Sequence, residues 1–145
     1  MPRLELTAQS QISSEMQTKY ESATKAGSGL AGTFQALFAN PKLAAGLADL
    51  QELIGQTGLE NWVILTVALT VAHERESTAL WDSFVPLARE AGVSDAVIDG
   101  IAAGTAPRGL LPKEGIWVHF AQEVLRDKMR DSTWVATTHL VGDEG

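Results

Sequence analysis

The sequence predicts an all-α fold of six to eight helices, and three observations carry that prediction. Apolar residues recur at helical spacings of three and four. No stretch alternates with period two over a useful length. The most apolar segment, Trp62 to Ala72, runs eleven residues. That is longer than an ordinary strand of about 5–6 residues and well short of the ~20 that span a bilayer. At 145 residues and 45% apolar content, the chain reads as a single compact helical domain over 1–145, with an extended arm at 1–12 and a frayed tail at 142–145.

The helices follow in order. Ser14 with Gln17 three residues on has the spacing of a capping box, opening a polar amphipathic helix to about Ala26. Gly27, Ser28, Gly29 and Gly32 break it. Thr33 to Ala39 predicts one or two helical turns. Asn40-Pro41 then starts a helix on which Leu43, Leu47, Leu50 and Ile54 share one face, and Gly55 and Gly58 end it. A buried helix is expected from Leu59 to about Glu76. Another runs from about Ser77 to Ala91, with a kink or boundary at Pro86. Gly92 is a C-cap and Ser94 an N-cap for a short helix bearing Val97, Ile98 and Ile101. A loop covers 104–111. Pro112 opens a helix to about Met129, with Ile116, Phe120 and Val124 on one face, and Ser132 to Val141 forms the last helix.

Composition removes several function classes. Eleven basic against eighteen acidic residues give a net charge of −7, which repels phosphate backbones, so no nucleic-acid partner is expected. The chain has no cysteine, which excludes disulfides, thiolate metal sites and thiol nucleophiles. No charged-then-apolar leader is visible at the N-terminus, so a cytoplasmic protein without membrane contact is expected. The Gly27-Ser28-Gly29 turn lacks the lysine and strand context of a phosphate loop.

The residue pattern best suited to chemistry is His73 with Glu76 and Ser77, at spacings of three and four on one helix face. Histidine suits proton transfer near neutral pH, and a neighbouring carboxylate orients its ring. Arg75 suits a substrate carboxylate, although it projects from a different side. The plainer reading of His-Glu-Arg-Glu is a buried helix emerging into solvent. Two ligands do not make a metal site. His119 with Glu123 at i+4 reads as an exposed polar pair, and His139 lies near the frayed end, so no metal and no cofactor are expected. Asp82 reads as a helix-surface charge, and Glu60 as a carboxylate placed by the helix dipole. Trp62 and Trp81 are candidates to wall an apolar pocket; Trp117 and Trp134 read as core or interface.

Several stretches, in order along nearly the whole chain, resemble the carboxymuconolactone decarboxylase and alkylhydroperoxidase-D-like superfamily. They are Met1-Pro2-Arg3-Leu4, Asn40-Pro41-Lys42-Leu43-Ala44, Val63-Ile64-Leu65-Thr66-Val67-Ala68, Pro86-Leu87-Ala88-Arg89-Glu90-Ala91-Gly92-Val93-Ser94, and Ile101-Ala102-Ala103-Gly104 with the helix from Pro112. The family's active-site helix carries Cys-x-x-Cys or Glu-Trp, then a histidine. Counting back from Pro86 puts that histidine at Phe84 and the Glu-Trp pair at Leu80-Trp81. Counting forward from Val63 puts the glutamate at Glu76, the first cysteine at His73, the histidine at Leu80, and an upstream glutamate at Asn61, beside Glu60. The counts differ by four residues, about one helical turn. On either count the family histidine is missing, and the chain stops short of a helix with which the family commonly continues.

The resemblance implies a trimer or hexamer of small helical subunits. It also implies a cofactor-independent acid–base lyase or decarboxylase acting on a small carboxylated or lactone substrate. His73 and Glu76 would be catalytic, with Glu60, Asn61, Arg75 and Trp81 binding substrate. The alternative is a non-catalytic binding or structural oligomer that has lost the family's site, so enzyme status stays open. Thiol peroxidase chemistry is rejected, because it needs a thiolate nucleophile and a resolving thiol.

Overall fold

A computed structural model describes residues 5–25, 29–105, 112–143 and 145, and every structural statement concerns these. They form eight α-helices and no strand: α1 (Gln17–Ala23), α2 (Ala31–Leu37), α3 (Pro41–Gly55), α4 (Asn61–Glu74), α5 (Thr78–Glu90), α6 (Asp95–Ala102), α7 (Pro112–Leu125) and α8 (Asp131–Val141). The fold class is therefore all-α. Among the described residues no helix is long and apolar enough to cross a membrane. Parts of the expected arm (1–4), the break at Gly27-Ser28, most of the 104–111 loop and residue 144 of the tail lie outside the described residues. Backbone contacts divide the chain into two compact units, Met1–Gln56 and Thr57–Gly145, each described by itself.

In the first unit, α1, α2 and α3 enclose a core of Ile12, Tyr20, Ala23, Phe34, Phe38 and Ala44. Tyr20 and Phe38 meet edge to face at 4.9 Å between ring centroids, and the Tyr20 hydroxyl donates to the Thr7 carbonyl at 2.6 Å. Ser14 does not cap α1. Short 3-10 turns occupy Gln9–Gln11 and Ser14–Met16, and the Gln17 amide donates instead to the carbonyls of Gln9 (3.0 Å) and Ile12 (2.9 Å). Asn40 does cap α3, its side chain accepting from the Leu43 N–H at 3.3 Å with Pro41 at the first helical position. The inward face of α3 carries Ala44 and Ala45. Leu43, Leu47, Leu50 and Ile54 do share a face, but it is exposed. Small side chains let a helix backbone approach aromatic neighbours closely, so the alanines serve the contact with the Phe34–Phe38 cluster.

The second unit is built around α4, which packs against α5, α6 and α7. Its buried residues are Val63, Thr66, Leu69, Thr70 and Ala72, and Leu69 joins Ala88, Val93, Val97, Ile98, Ile101 and Val118 in the core. Two threonines are tolerated there because each hydroxyl bonds back along the helix. Thr66 Oγ1 donates to the Trp62 carbonyl at 2.7 Å, and Thr70 Oγ1 to the Thr66 carbonyl at 2.8 Å. Helix α5 continues through Pro86 rather than ending there. Pro86 and Asp82 are both exposed, so the turn in which a proline cannot donate to the Asp82 carbonyl lies on the solvent side of the helix. On α7 the buried residues are Trp117, Val118 and Ala121, while Val124 is exposed. The expected Ile116–Phe120–Val124 stripe is thus displaced about one residue around the helix.

Leu69 is fully buried. Leu69→Ala is expected to cost about 2–5 kcal/mol, measured as a shift of the urea unfolding midpoint at unchanged slope.

Candidate functional site

Four successive helices of the second unit end alike. After α4, the Glu76 N–H bonds the His73 carbonyl (3.0 Å) and the Ser77 N–H bonds the Ala72 carbonyl (2.9 Å), with Glu76 left-handed at φ 52°. The same pair of bonds closes α5 at Gly92, α6 at Gly104 and α7 at Asp127. This corrects the expected geometry of His73 and Glu76. The helix ends at Glu74, so Glu76 is the exposed left-handed cap residue and not a member of the His73 face.

His73 is half-buried in the last turn of α4. Its ring centroid lies 6.0 Å from that of Trp81, and a Cβ at Gly104 would stand 3.8 Å from its Nε2. Trp81 packs against the core. Glu74 turns to α7, where Arg126 Nη2 donates to both carboxylate oxygens at 3.1 Å and Gln122 to one at 3.0 Å. Arg75 and Asn61 are exposed. The six residues singled out by sequence therefore do not converge. Glu60 and Asn61 sit at the start of α4, whereas His73, Arg75 and Glu76 sit at its far end, roughly 18 Å along the axis at ~1.5 Å per residue.

Concavity is found at the start of α4. Glu60 precedes the helix as its N-cap residue, and its carboxylate accepts a hydrogen bond from the Trp62 indole N–H. A cleft of about 420 Å³ is lined there by Leu59, Glu60, Trp62, Lys113, Trp117 and Leu140, among others. A smaller one of about 210 Å³ shares Glu60, Trp62 and Lys113 and adds Thr66, Ser94 and Glu114. The expected pocket wall is met by Trp62; Trp81 lines neither cleft. Ser94 takes the N-cap position of α6, but its side chain makes no cap bond, and its buried Oγ has no hydrogen-bond partner among the described residues. Lys113 escaped the sequence reading, while Trp117, read there as core or interface, is buried and also borders the larger cleft; their spacing of four already placed the two on one helix face.

Among the described residues no three histidine or acidic side chains group to hold a metal ion. The expected His119–Glu123 pair is replaced by a network at the α7–α8 corner. Glu123 accepts from the Arg130 backbone N–H (2.9 Å), Arg130 Nε (2.6 Å) and Thr133 Oγ1 (3.0 Å). The Arg130 backbone bond, followed by its guanidinium and the Thr133 hydroxyl, outweighs desolvation and holds the Glu123 carboxyl below its ordinary 4.5. A lowered carboxyl pKa adds stability above the unfolded value and loses it as pH falls through the folded one. Wild-type unfolding is therefore expected to steepen with acid below pH 4.5, and Glu123→Gln to flatten that dependence, read as melting temperature against pH. At the other corner, Glu76→Gly is expected to stabilise the chain by roughly 1 kcal/mol, because glycine removes the left-handed penalty; loss of stability on denaturant titration would contradict the cap assignment.

No protein-family model, curated protein sequence or solved structure matches this chain.

Proposed function

We propose that this chain binds a small carboxylated or lactone-type molecule in the cleft formed by Glu60, Trp62, Lys113 and Trp117. The observation that carries the reading is the meeting of two indoles, one ammonium and one carboxylate around about 420 Å³, within the size range of small-ligand sites. The indole faces suit a flat, largely apolar ring. Lys113 suits a carboxylate or a polarised carbonyl oxygen. Glu60, oriented by the Trp62 N–H, remains an acceptor for a ligand hydroxyl. In the adjoining cleft the unpaired Ser94 hydroxyl is a polar group that a ligand atom would satisfy, removing a desolvation cost of about 1–3 kcal/mol.

The lyase reading concerns the same ligand class, and in this cleft its acid–base work falls to Glu60, with Lys113 stabilising the developing enolate. A folded chain that binds without turning its ligand over is the non-catalytic reading, and the exposed position of Glu76 favours it.

The test is a thermal-shift and tryptophan-fluorescence screen of aromatic carboxylates and muconolactone-type lactones. A ligand of the folded state is expected to raise the melting temperature. Lys113→Met is expected to weaken carboxylate binding about 10- to 100-fold, the worth of one charge-assisted hydrogen bond. His73→Ala is expected to bind as the wild type does. No shift with any such compound, or equal binding by Lys113→Met, overturns the proposal; turnover of a bound compound decides between lyase and binding protein.

A further inference from the structure

The two clefts of the Thr57–Gly145 unit share Glu60, Trp62 and Lys113, so they meet along those three side chains. The smaller one, about 210 Å³, falls below the ~300 Å³ at which a pocket holds a ligand by itself. It is therefore an annex of the larger. Its two lining hydroxyls differ. Thr66 donates to the Trp62 carbonyl at 2.7 Å. Ser94 stands at the N-cap of α6 with the extended backbone of a capping residue (φ −68°, ψ 147°), and its carbonyl accepts from the Val97 N–H (3.0 Å) and the Ile98 N–H (3.2 Å). A serine there ordinarily spends its side-chain oxygen on the first turn. The Ser94 hydroxyl makes no such bond and is buried without a partner among the described residues.

Resting on the binding reading above, we propose that the cleft takes a 2-hydroxy acid bearing a flat ring. Its carboxylate sits on Lys113 and its ring against Trp62 and Trp117. Its hydroxyl enters the smaller cleft, donating to Glu60 and accepting from Ser94. The shape follows from the shared residues. A 2-hydroxy acid branches at the carbon beside its carboxylate, so a carboxylate held by Lys113 sends one branch into each cleft. The chemistry of the annex selects the second branch. Lys113 and Ser94 bring donors, and Glu60 and Glu114 bring acceptors. A second carboxylate only accepts and would face two like charges. An ammonium only donates; it would face Lys113 and leave the Ser94 proton unmet. A hydroxyl donates and accepts at once. A site with a buried polar group rejects the analogue that leaves that group unpaired.

Four acids with one phenyl ring and one shared carboxylate test this by calorimetric titration of the full chain. Phenylacetate, mandelate, phenylglycine and phenylmalonate place hydrogen, hydroxyl, ammonium and a second carboxylate on the same carbon. Mandelate is expected to bind at least about 10-fold more tightly than the other three. One enantiomer is preferred, because three attachment points fix its hand. In Ser94→Ala the advantage over phenylacetate is expected to shrink to about two- to threefold, the share left to Glu60, while phenylacetate binds as before. The free variant is expected to melt no lower than the wild type, since it loses only an unpaired buried oxygen. Mandelate no tighter than phenylacetate, phenylglycine or phenylmalonate as its equal, or an advantage that persists in Ser94→Ala each overturns the proposal. So does a lower melting temperature of the variant, the sign of a lost cap bond. Binding of phenylacetate without preference for mandelate sinks the 2-hydroxy acid alone and leaves the carboxylate cleft standing; failure of all four to bind overturns both.

Discussion

The second unit depends on a helix that keeps one side dry along its length. Helix α4 lies against α5, α6 and α7, and its buried positions alternate apolar residues with threonines whose hydroxyls bond the carbonyl one turn back. That arrangement leaves little room for function in the middle of the helix. Polar chemistry is pushed to the two ends, and the ends differ. At the start, Glu60 and Trp62 border concave surface. At the finish, backbone carbonyls are consumed by the Glu76 and Ser77 amides, and charged side chains turn outward or across to α7.

The helical class, the α3 start at Asn40-Pro41 and the Gly92 cap were legible in sequence because each rests on local stereochemistry. The α4 terminus was not. A left-handed cap advertises itself when the residue is glycine, as at Gly92 and Gly104, but Glu76 and Asp127 take the same conformation with ordinary side chains. Reading Glu76 as helical moved it onto the His73 face and assembled a constellation that the backbone does not make. The α3 stripe shows a different limit. Periodicity identifies a face, while which face is buried is a tertiary choice, here made by alanines that pack closely against aromatic rings. The cleft combines α4 and α7, and pattern alone carries no information about which helices become neighbours.

Glu123 shows how a carboxylate can be recruited for architecture. It closes the α7–α8 corner by receiving the Arg130 backbone, the same residue's guanidinium and the Thr133 hydroxyl together. Glu74 does the same between α4 and α7. Both pairings take acidic residues out of the pool available for catalysis. Glu60 differs because its partner is a neighbouring indole N–H on its own helix, an engagement that orients the group without neutralising it.

The repeated corner geometry also governs how this chain can change length. Helices α5 and α6 begin two and three residues after the preceding left-handed residue, Thr78 after Glu76 and Asp95 after Gly92 with only Val93 and Ser94 between. One residue added at such a corner would disrupt its paired amide–carbonyl bonds, and one added inside a helix would rotate everything downstream by about 100°, whereas four added inside a helix restore the facing to within about 40°. Viable length variants of this architecture should therefore gain or lose whole turns within helices and leave the corners untouched.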